Sequence, residues 1–254
     1  MTEARPFTHR DSGTDEPTWL LDAEWDTVPR LDLAAITARC PHILVVAPHP
    51  DDETLSLGAT LADLSASGAD VTVVFLTHGG DGPAATPRRI EGDRAIAVLG
   101  GQIATLWWDL PDGGLETSHD DLRRRLAGLI DERTVVFAPV ECDGHCDHDA
   151  TARAAEAAAR QRSAVLLNYP IWLWHWATPA DIDWSRLRTL APSLPGLSAK
   201  RSALACYTSQ LQSDDGLPIL GSSVLDRAHR TFETVLLPAA SDLAERVDAA
   251  VQTG

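Results

Sequence analysis

Lysine is almost missing from this 254-residue chain: Lys200 stands alone, and arginine supplies the rest of 21 basic side chains against 37 acidic ones. The formal net charge of −16 argues against nonspecific binding to nucleic acid or to an anionic membrane, since both are polyanions that need a cationic partner. No apolar run approaches the roughly 20 residues that cross a bilayer, so no stable membrane insertion is expected. Residues 1–26 are polar and acidic and lack the apolar stretch of a secretory signal. Cys40, Cys142, Cys146 and Cys206 are too few and too scattered for a disulfide framework, which favours a reduced, cytoplasmic protein. Internal repeats and low-complexity blocks are also missing, and nothing in the sequence speaks to oligomeric state.

What is present is a β-α-β rhythm. His42–Ala47 is apolar with little alternation, as expected of a parallel strand covered on both faces. Residues 54–67 carry Leu55, Leu57, Leu61 and Leu64, which predicts a helix packed on a sheet and ended by Gly68. Residues 71–76 read as the next strand, 77–86 as a glycine-rich loop, 88–99 as a helix and 103–107 as a third strand. Helices are expected at 120–130 and 148–160, and strands at 134–138 and 164–169. This alternation predicts an α/β fold: a Rossmann-like, mostly parallel sheet with helices on both faces.

Beyond Pro170 the pattern loosens into a smaller, irregular C-terminal portion. It has a loop-rich stretch over 181–195, a helix over 198–212 and a late strand over 231–237. Trp172, Trp174 and Trp176 alternate, which would set three rings on one face of an extended segment, as a packed strand face or as a platform for a sugar or an acyl chain. Gly79-Gly80-Asp81-Gly82 lacks the spacing of a phosphate-binding or dinucleotide loop and reads as a wall of a site.

Two short segments share one topological position, just past the C-terminal end of a predicted strand, where open α/β sheets bind ligands. The first is His49-Pro50-Asp51-Asp52-Glu53, and the second is Asp143-Gly144-His145-Cys146-Asp147-His148. His49 and Asp52, three apart, face one cation if the chain turns into a helix there, and His148 at the start of the next helix closes a triad. Two histidines and one carboxylate with open positions form the donor set of a catalytic zinc, whereas a structural zinc has all four positions filled by protein. Ferrous iron or another divalent metal accepts the same triad. Asp51 is placed to accept a proton from a metal-activated water. His145 could stabilise an oxyanion or protonate a leaving amine, with Asp147 holding its tautomer and raising its pKa. Glu53 reads as a cap or an orienting group. A rival structural site built from Cys142, Cys146, His145 and His148 has no second ligand pair at zinc-finger spacing.

The run Pro48-His49-Pro50-Asp51-Asp52-Glu53, taken with His145-Cys146-Asp147-His148, resembles the paired motifs of the LmbE/PIG-L family of zinc-dependent N-acetylglucosamine-type N-deacetylases. Weaker echoes include Arg89-Ile90-Glu91, Leu110-Pro111-Asp112-Gly113, Lys200-Arg201-Ser202-Ala203 and Ser209-Gln210, in the family's order across residues 42–212. The resemblance implies hydrolysis of the N-acetyl or N-acyl amide of a small amino-sugar conjugate, with zinc held by His49, Asp52 and His148. It implies Asp51 as general base, His145 as general acid or oxyanion stabiliser paired with Asp147, and Arg88 or Arg89 with Asp112 near the substrate's hydroxyls. Two departures stand out: Cys146 replaces a proline, and Asp143 stands where some sugar-conjugate deacetylases place a tyrosine that assists the oxyanion. On this reading residues 1–40 are an N-terminal extension and 41–254 a single metal-dependent deacetylase domain. Two other readings keep the metal site: an amidase acting on a non-sugar amide, and a non-catalytic, metal-stabilised module that binds a sugar conjugate.

Overall fold

Strands that are apolar on both faces need helices on both sides, and a computed structural model of the chain has that arrangement. It describes residues 7–80, 85–212 and 217–251; Asp81 and Gly82 of the glycine-rich loop lie outside the described residues, as does the start of the N-terminal extension. The order of elements is α1 (Glu16–Leu20), α2 (Leu33–Arg39), β1 (His42–Ala47), α3 (Asp52–Ala66), β2 (Asp70–Thr77), α4 (Ala85–Leu99), β3 (Ala104–Leu110), α5 (His119–Leu129) and β4 (Thr134–Pro139). Then come α6 (Cys146–Arg162), β5 (Val165–Tyr169), α7 (Leu173–Trp176), β6 (Leu187–Leu190), α8 (Leu194–Leu204), α9 (Thr208–Leu211), α10 (Ser222–Ala228), β7 (Glu233–Leu236) and α11 (Ser241–Val251). No helix among the described residues is long and apolar enough to cross a membrane.

The strands form one sheet in the order β3-β2-β1-β4-β5-β7-β6. β1 to β5 pair in parallel, and β7 runs antiparallel to β5 and β6. The mostly parallel α/β sheet expected from the sequence is therefore the fold. Successive side chains of β1 point to opposite faces. Ile43 and Val45 join a core with Leu57 and Leu61 of α3, while Leu44 and Val46 join one with Leu122 of α5 and the alanines of α6. The chain moves outward from β1 to β2 and β3 on one side and from β4 to β5 on the other. The adjoining ends of β1 and β4 thus flank the switch-point crevice, and both motifs leave from these two strands.

Helix α3, which begins inside the first motif, is buried along almost its whole length. It crosses α8 closely enough that a Cβ on Gly58 would stand 2.9 Å from Lys200 Cγ, and one on Gly196 would stand 2.7 Å from the Ala59 carbonyl. A buried ion pair pins this crossing to the sheet. Glu233 of β7 accepts hydrogen bonds from the backbone N–H groups of Ala59 and Thr60 and from Lys200 Nζ at 2.7 Å. The sole lysine of the chain is thus an internal staple.

The C-terminal portion differs from expectation in three places. The loop-rich 181–195 stretch contains β6, a four-residue edge strand too short to register as a pattern and formed by pairing with β7. The helix expected over 198–212 breaks at Ala205–Tyr207, where Tyr207 takes φ −83°, ψ 56° and sends its hydroxyl to Glu53. The tryptophan stretch is the helical turn α7, not an extended segment: Trp174 and Trp176 are buried and only Trp172 reaches the site, so the three rings form no platform.

Removing one member of a buried ion pair strands the other charge, at a cost of about 3–5 kcal/mol. Glu233→Gln is expected to lower unfolding stability by an amount of that order, read from the urea midpoint; a change below about 1 kcal/mol would show that the pair does not hold α3 and α8 to the sheet.

Candidate active site

The chain leaves β1 at Ala47 and enters α3 at Asp52, and the residue between the two conformations, Asp51, has φ 129° and ψ −28°. A non-glycine residue there stores on the order of 1–3 kcal/mol and must be held by its surroundings. The Asp51 N–H donates to Glu53 Oε2 (3.1 Å), and Glu53 Oε1 accepts from the hydroxyls of Thr54 and Tyr207. Arg88 Nη2 donates to the Pro50 carbonyl (2.8 Å) and to Asp51 Oδ2 (3.0 Å). Glu53 is thus an orienting group, fully buried behind the strained residue.

Asp52 Oδ2 stands 3.4 Å from His49 Nδ1 and 3.4 Å from His148 Nε2. The other nitrogens of both rings are engaged: His49 Nε2 meets Asp112 Oδ1 (2.9 Å) and Asp147 Oδ2 (3.2 Å), and His148 Nδ1 meets Asp143 Oδ2 (2.7 Å). Carboxylates on those edges hold a proton there, so on a neutral ring His49 Nδ1 or His148 Nε2 would present its lone pair toward Asp52. His148 Nε2 is buried and has no hydrogen-bond partner among the described residues. Both spacings match the distance of about 3.4 Å between tetrahedral ligands about 2.0–2.1 Å from an ion. The residues present fit a divalent cation.

The protonation equilibria point the same way. Burial opposes charge on His148, yet the Asp52 charge and the Asp143 hydrogen bond push it up to about 10. His49 is likewise raised well above its ordinary value against burial by Asp112, Asp147 and Asp52. Burial would raise the Asp52 carboxyl, but His148 and His49 hold it well below the usual range. A divalent cation can take the place of the extra protons on the two rings. Asp51 lacks such compensation: burial pushes it up to about 7, against the opposing pull of Arg88.

The structure gathers almost all of the expected site residues. Ligand atoms of His49, His145 and His148 lie within 4.8 Å of one another, as do those of His49, Asp112 and Asp147. None of these groups includes a cysteine, and Cys146 is exposed. A cavity of about 320 Å³ opens over Asp51, Asp52, Arg88, Asp112 and His145, with Ile171, Trp172 and Leu220 as an apolar wall. Arg89 stays outside, over the Trp107 ring and 3.7 Å from Asp109. Trp107 and Trp108 do not line this cavity. Glu91 ties α4 to α9 through Thr208 and Ser209, which places Gln210 at the cavity.

Two partnerships differ from the sequence reading. Asp147 does not bond the His145 ring through its carboxylate, which accepts from the N–H groups of Gly113 and Leu115 and contacts His49. Only the Asp147 backbone N–H reaches His145 Nδ1 (3.2 Å). The pKa of His145 is not raised but lowered to about 4, by burial and by the charges of His148 and His49. The sequence reading also missed Asp143 as the partner of His148. The available signal was an aspartate five residues ahead of a ligand-type histidine in the same loop.

Glycine has no steric penalty at φ 129°. Asp51→Gly is therefore expected to raise stability by about 1 kcal/mol, by relieving strain and removing a buried carboxylate, while eliminating a group at the centre of the site. Thermal unfolding checks it, and a lower Tm would show that the Arg88 contact outweighs the strain.

Comparison with known proteins identifies the family. The PIG-L family, described as GlcNAc-PI de-N-acetylase, matches residues 44–159. The 1D-myo-inositol 2-acetamido-2-deoxy-alpha-D-glucopyranoside deacetylase of Mycolicibacterium gilvum (strain PYR-GCK) is 30% identical over 216 residues, covering 71% of this chain and 70% of that protein. The conserved protein TT1542 from Thermus thermophilus is 29% identical with a TM-score of 0.58, covering 77% of this chain and 94% of its own. The antimicrobial reagent A40926 pseudoaglycone deacetylase Dbv21, 24% identical with a TM-score of 0.61 over 78% of this chain and 96% of its own, shares the fold. On the family match, the relative's coverage and the shared architecture, the chain belongs to the PIG-L (LmbE-like) family of deacetylases, hydrolases that act on amide bonds.

Proposed function

We propose that this protein is a metal-dependent N-deacetylase that hydrolyses the N-acetyl or N-acyl amide of a small amino-sugar conjugate in the cytoplasm, with residues 41–254 as its catalytic domain. The observation that carries the metal is the approach of Asp52 Oδ2 to His49 Nδ1 and to the buried, unpartnered His148 Nε2. The amino sugar is carried by the named activity of the relative from Mycolicibacterium gilvum. His49, Asp52 and His148 would hold the cation, leaving room for a substrate. A zinc ion there would supply Lewis acidity, polarising the amide carbonyl and bringing the pKa of water to about 7; ferrous iron or another divalent ion suits the same donors.

The remaining chemistry falls to side chains of the chain. Asp51 takes the proton of the attacking water and holds it for the leaving nitrogen. Its elevated pKa suits both halves of that task. His145 accepts from the Asp147 N–H at Nδ1, so its hydrogen sits on Nε2, and its low pKa keeps the ring neutral at about pH 7. A neutral N–H facing the cavity makes it a hydrogen-bond donor to the developing oxyanion. Asp147 and Asp112 orient His49. Arg88 and the partly exposed Asp112 lie where sugar hydroxyls can bond. Arg89 is left for a part of the conjugate outside the cavity.

Release of acetate or fatty acid is to be measured from N-acylated amino sugars and from non-sugar amides, after chelation and again with zinc restored. Metal-dependent release from the sugars alone is expected. Release only from other amides, or metal binding without release, would assign the site to a different amidase or to a binding module. Asp51→Asn is expected to keep the metal and the fold while losing about 10²–10⁴-fold in turnover; a near wild-type rate removes Asp51 as base. His145→Ala should cost about 10²–10³ in kcat with little change in KM, and the reverse pattern would make it a substrate-binding group. Asp51 must be ionised to act, so the rate should fall as pH drops through its pKa. A bound cation draws that acid limb below about pH 7, and Asp51→Asn abolishes the limb in the residual rate.

A further inference from the structure

The tryptophan-rich turn takes no part in the chemistry above, yet it sits against the residue that orients His148. The N–H groups of Ile171 and Leu173 donate to Asp143 Oδ1, both at 2.9 Å, and that of Trp172 donates to Oδ2 at 3.0 Å. Oδ2 also faces His148 Nδ1 at 2.7 Å. The Trp176 indole N–H donates to the backbone carbonyl of the same Asp143 (2.9 Å). Asp143 thus caps the start of a turn that belongs to another loop, and the turn's own N–H groups saturate the carboxylate. Gly144 is part of the fit: with φ 93°, a Cβ there would stand 3.0 Å from Trp176 Nε1 and 2.6 Å from Phe7.

The other end of the turn is closed by the N-terminal segment. Helix ends leave carbonyls without intrahelical partners, and here Trp19 Nε1 donates to the Trp174 carbonyl (2.9 Å), the Thr14 N–H to the His175 carbonyl (2.9 Å) and the Thr14 hydroxyl to the Ala177 carbonyl (2.5 Å). Arg227 and Arg230 fasten that segment in turn, through the Thr14 carbonyl (2.8 Å) and a two-point pair with Glu16 (2.7 and 2.8 Å). Arg230 also lies over the Trp174 ring at 4.8 Å. Hydrogen bonds at its two ends therefore make the turn a link between residues 14–19, ahead of the stretch matched by the family, and the ring of His148.

We propose that Trp176 and the segment 14–19 are positioning elements of the metal site. They hold the 171–177 turn, the turn holds Asp143, and Asp143 fixes the tautomer and aim of His148. This rests on the reading of His148 as a metal ligand. It gives the N-terminal extension a role in cation affinity and Asp143 the task of orienting His148.

The test measures zinc affinity by competition with a chromophoric chelator, together with the visible spectrum of the cobalt-substituted protein and the Tm. Asp143→Asn keeps the shape but cannot accept the His148 proton as a carboxylate does, and an outer partner of this kind is worth about 10–100-fold in affinity. Trp176→Phe keeps a ring but loses the indole donor, and Thr14→Val, nearly isosteric and far from the cation, is the variant least able to disturb folding. Both should weaken zinc binding in the same direction by at least about threefold and shift the cobalt spectrum. Zinc affinity and cobalt spectrum unchanged in both variants, with only Tm lowered, would make the turn ordinary packing and overturn the proposal. Wild-type protein that binds neither zinc nor cobalt would overturn the reading of the metal site itself, an outcome distinct from the first.

Discussion

Uncompensated negative charge in a dry crevice is the constraint around which this molecule is arranged. Asp51, Asp52, Glu53, Asp143 and Asp147 are all buried, within or beside the ends of two adjacent strands. Burying carboxylates is costly unless each has a partner. Glu53 is answered by two hydroxyls and a backbone N–H, and Asp143 by three backbone N–H groups and an imidazole. Asp147 is answered by two backbone N–H groups and His49. Asp52 depends on the two histidines, which hold extra protons in its field against their own burial. Asp51 is the least compensated: Arg88 offsets only part of its burial cost, and the carboxyl ends poised near neutrality. The different pKa values of Asp51 and Asp52 are thus consequences of unequal compensation among residues of the same type.

The scaffold meets this constraint by rigidity. The two loops share a crevice because β1 and β4 are neighbours at the point where the sheet reverses its order. Helix α3 starts within the first loop, so its placement sets the directions of Asp52 and Glu53. That placement is held by the close approach of α8 at Gly58 and Gly196 and by the Lys200–Glu233 pair. Strain at Asp51 is tolerable in such surroundings because the backbone on either side has nowhere to relax.

The departures of this chain from its family's motifs take on structural sense in the same terms. The carboxylate of Asp143 is taken up in hydrogen bonds to His148 and to the N–H groups of the 171–177 turn. On the proposed mechanism the neutral ring of His145 would then be the side chain left to stabilise the oxyanion. Cys146, in place of proline, is the first residue of α6, where neither residue is asked to donate within the helix.

Sheet, helices and the two motifs were legible in the amino-acid sequence because they rest on local periodicity: apolar runs such as His42–Ala47, leucines at helical spacing, and ligand-type residues three apart. That His49 and His148 share a site followed from strand-end topology, since parallel β-α-β units bring strand ends to one edge whatever lies between. Partner choice was not legible. Nothing in sequence spacing distinguishes Asp147 bonding His145 from Asp147 bonding His49, because hydrogen-bond distances are set by how loops from β3, β4 and β5 pack together. For the same reason alternating tryptophans suggested an extended face, whereas capping by Asp143 and by residues 14–19 winds them into a turn. Local pattern was enough for the architecture and for the inventory of chemical groups. Which carboxylate serves which histidine was settled only when the chain folded, because such contacts join segments distant in sequence and depend on packing that no local pattern encodes.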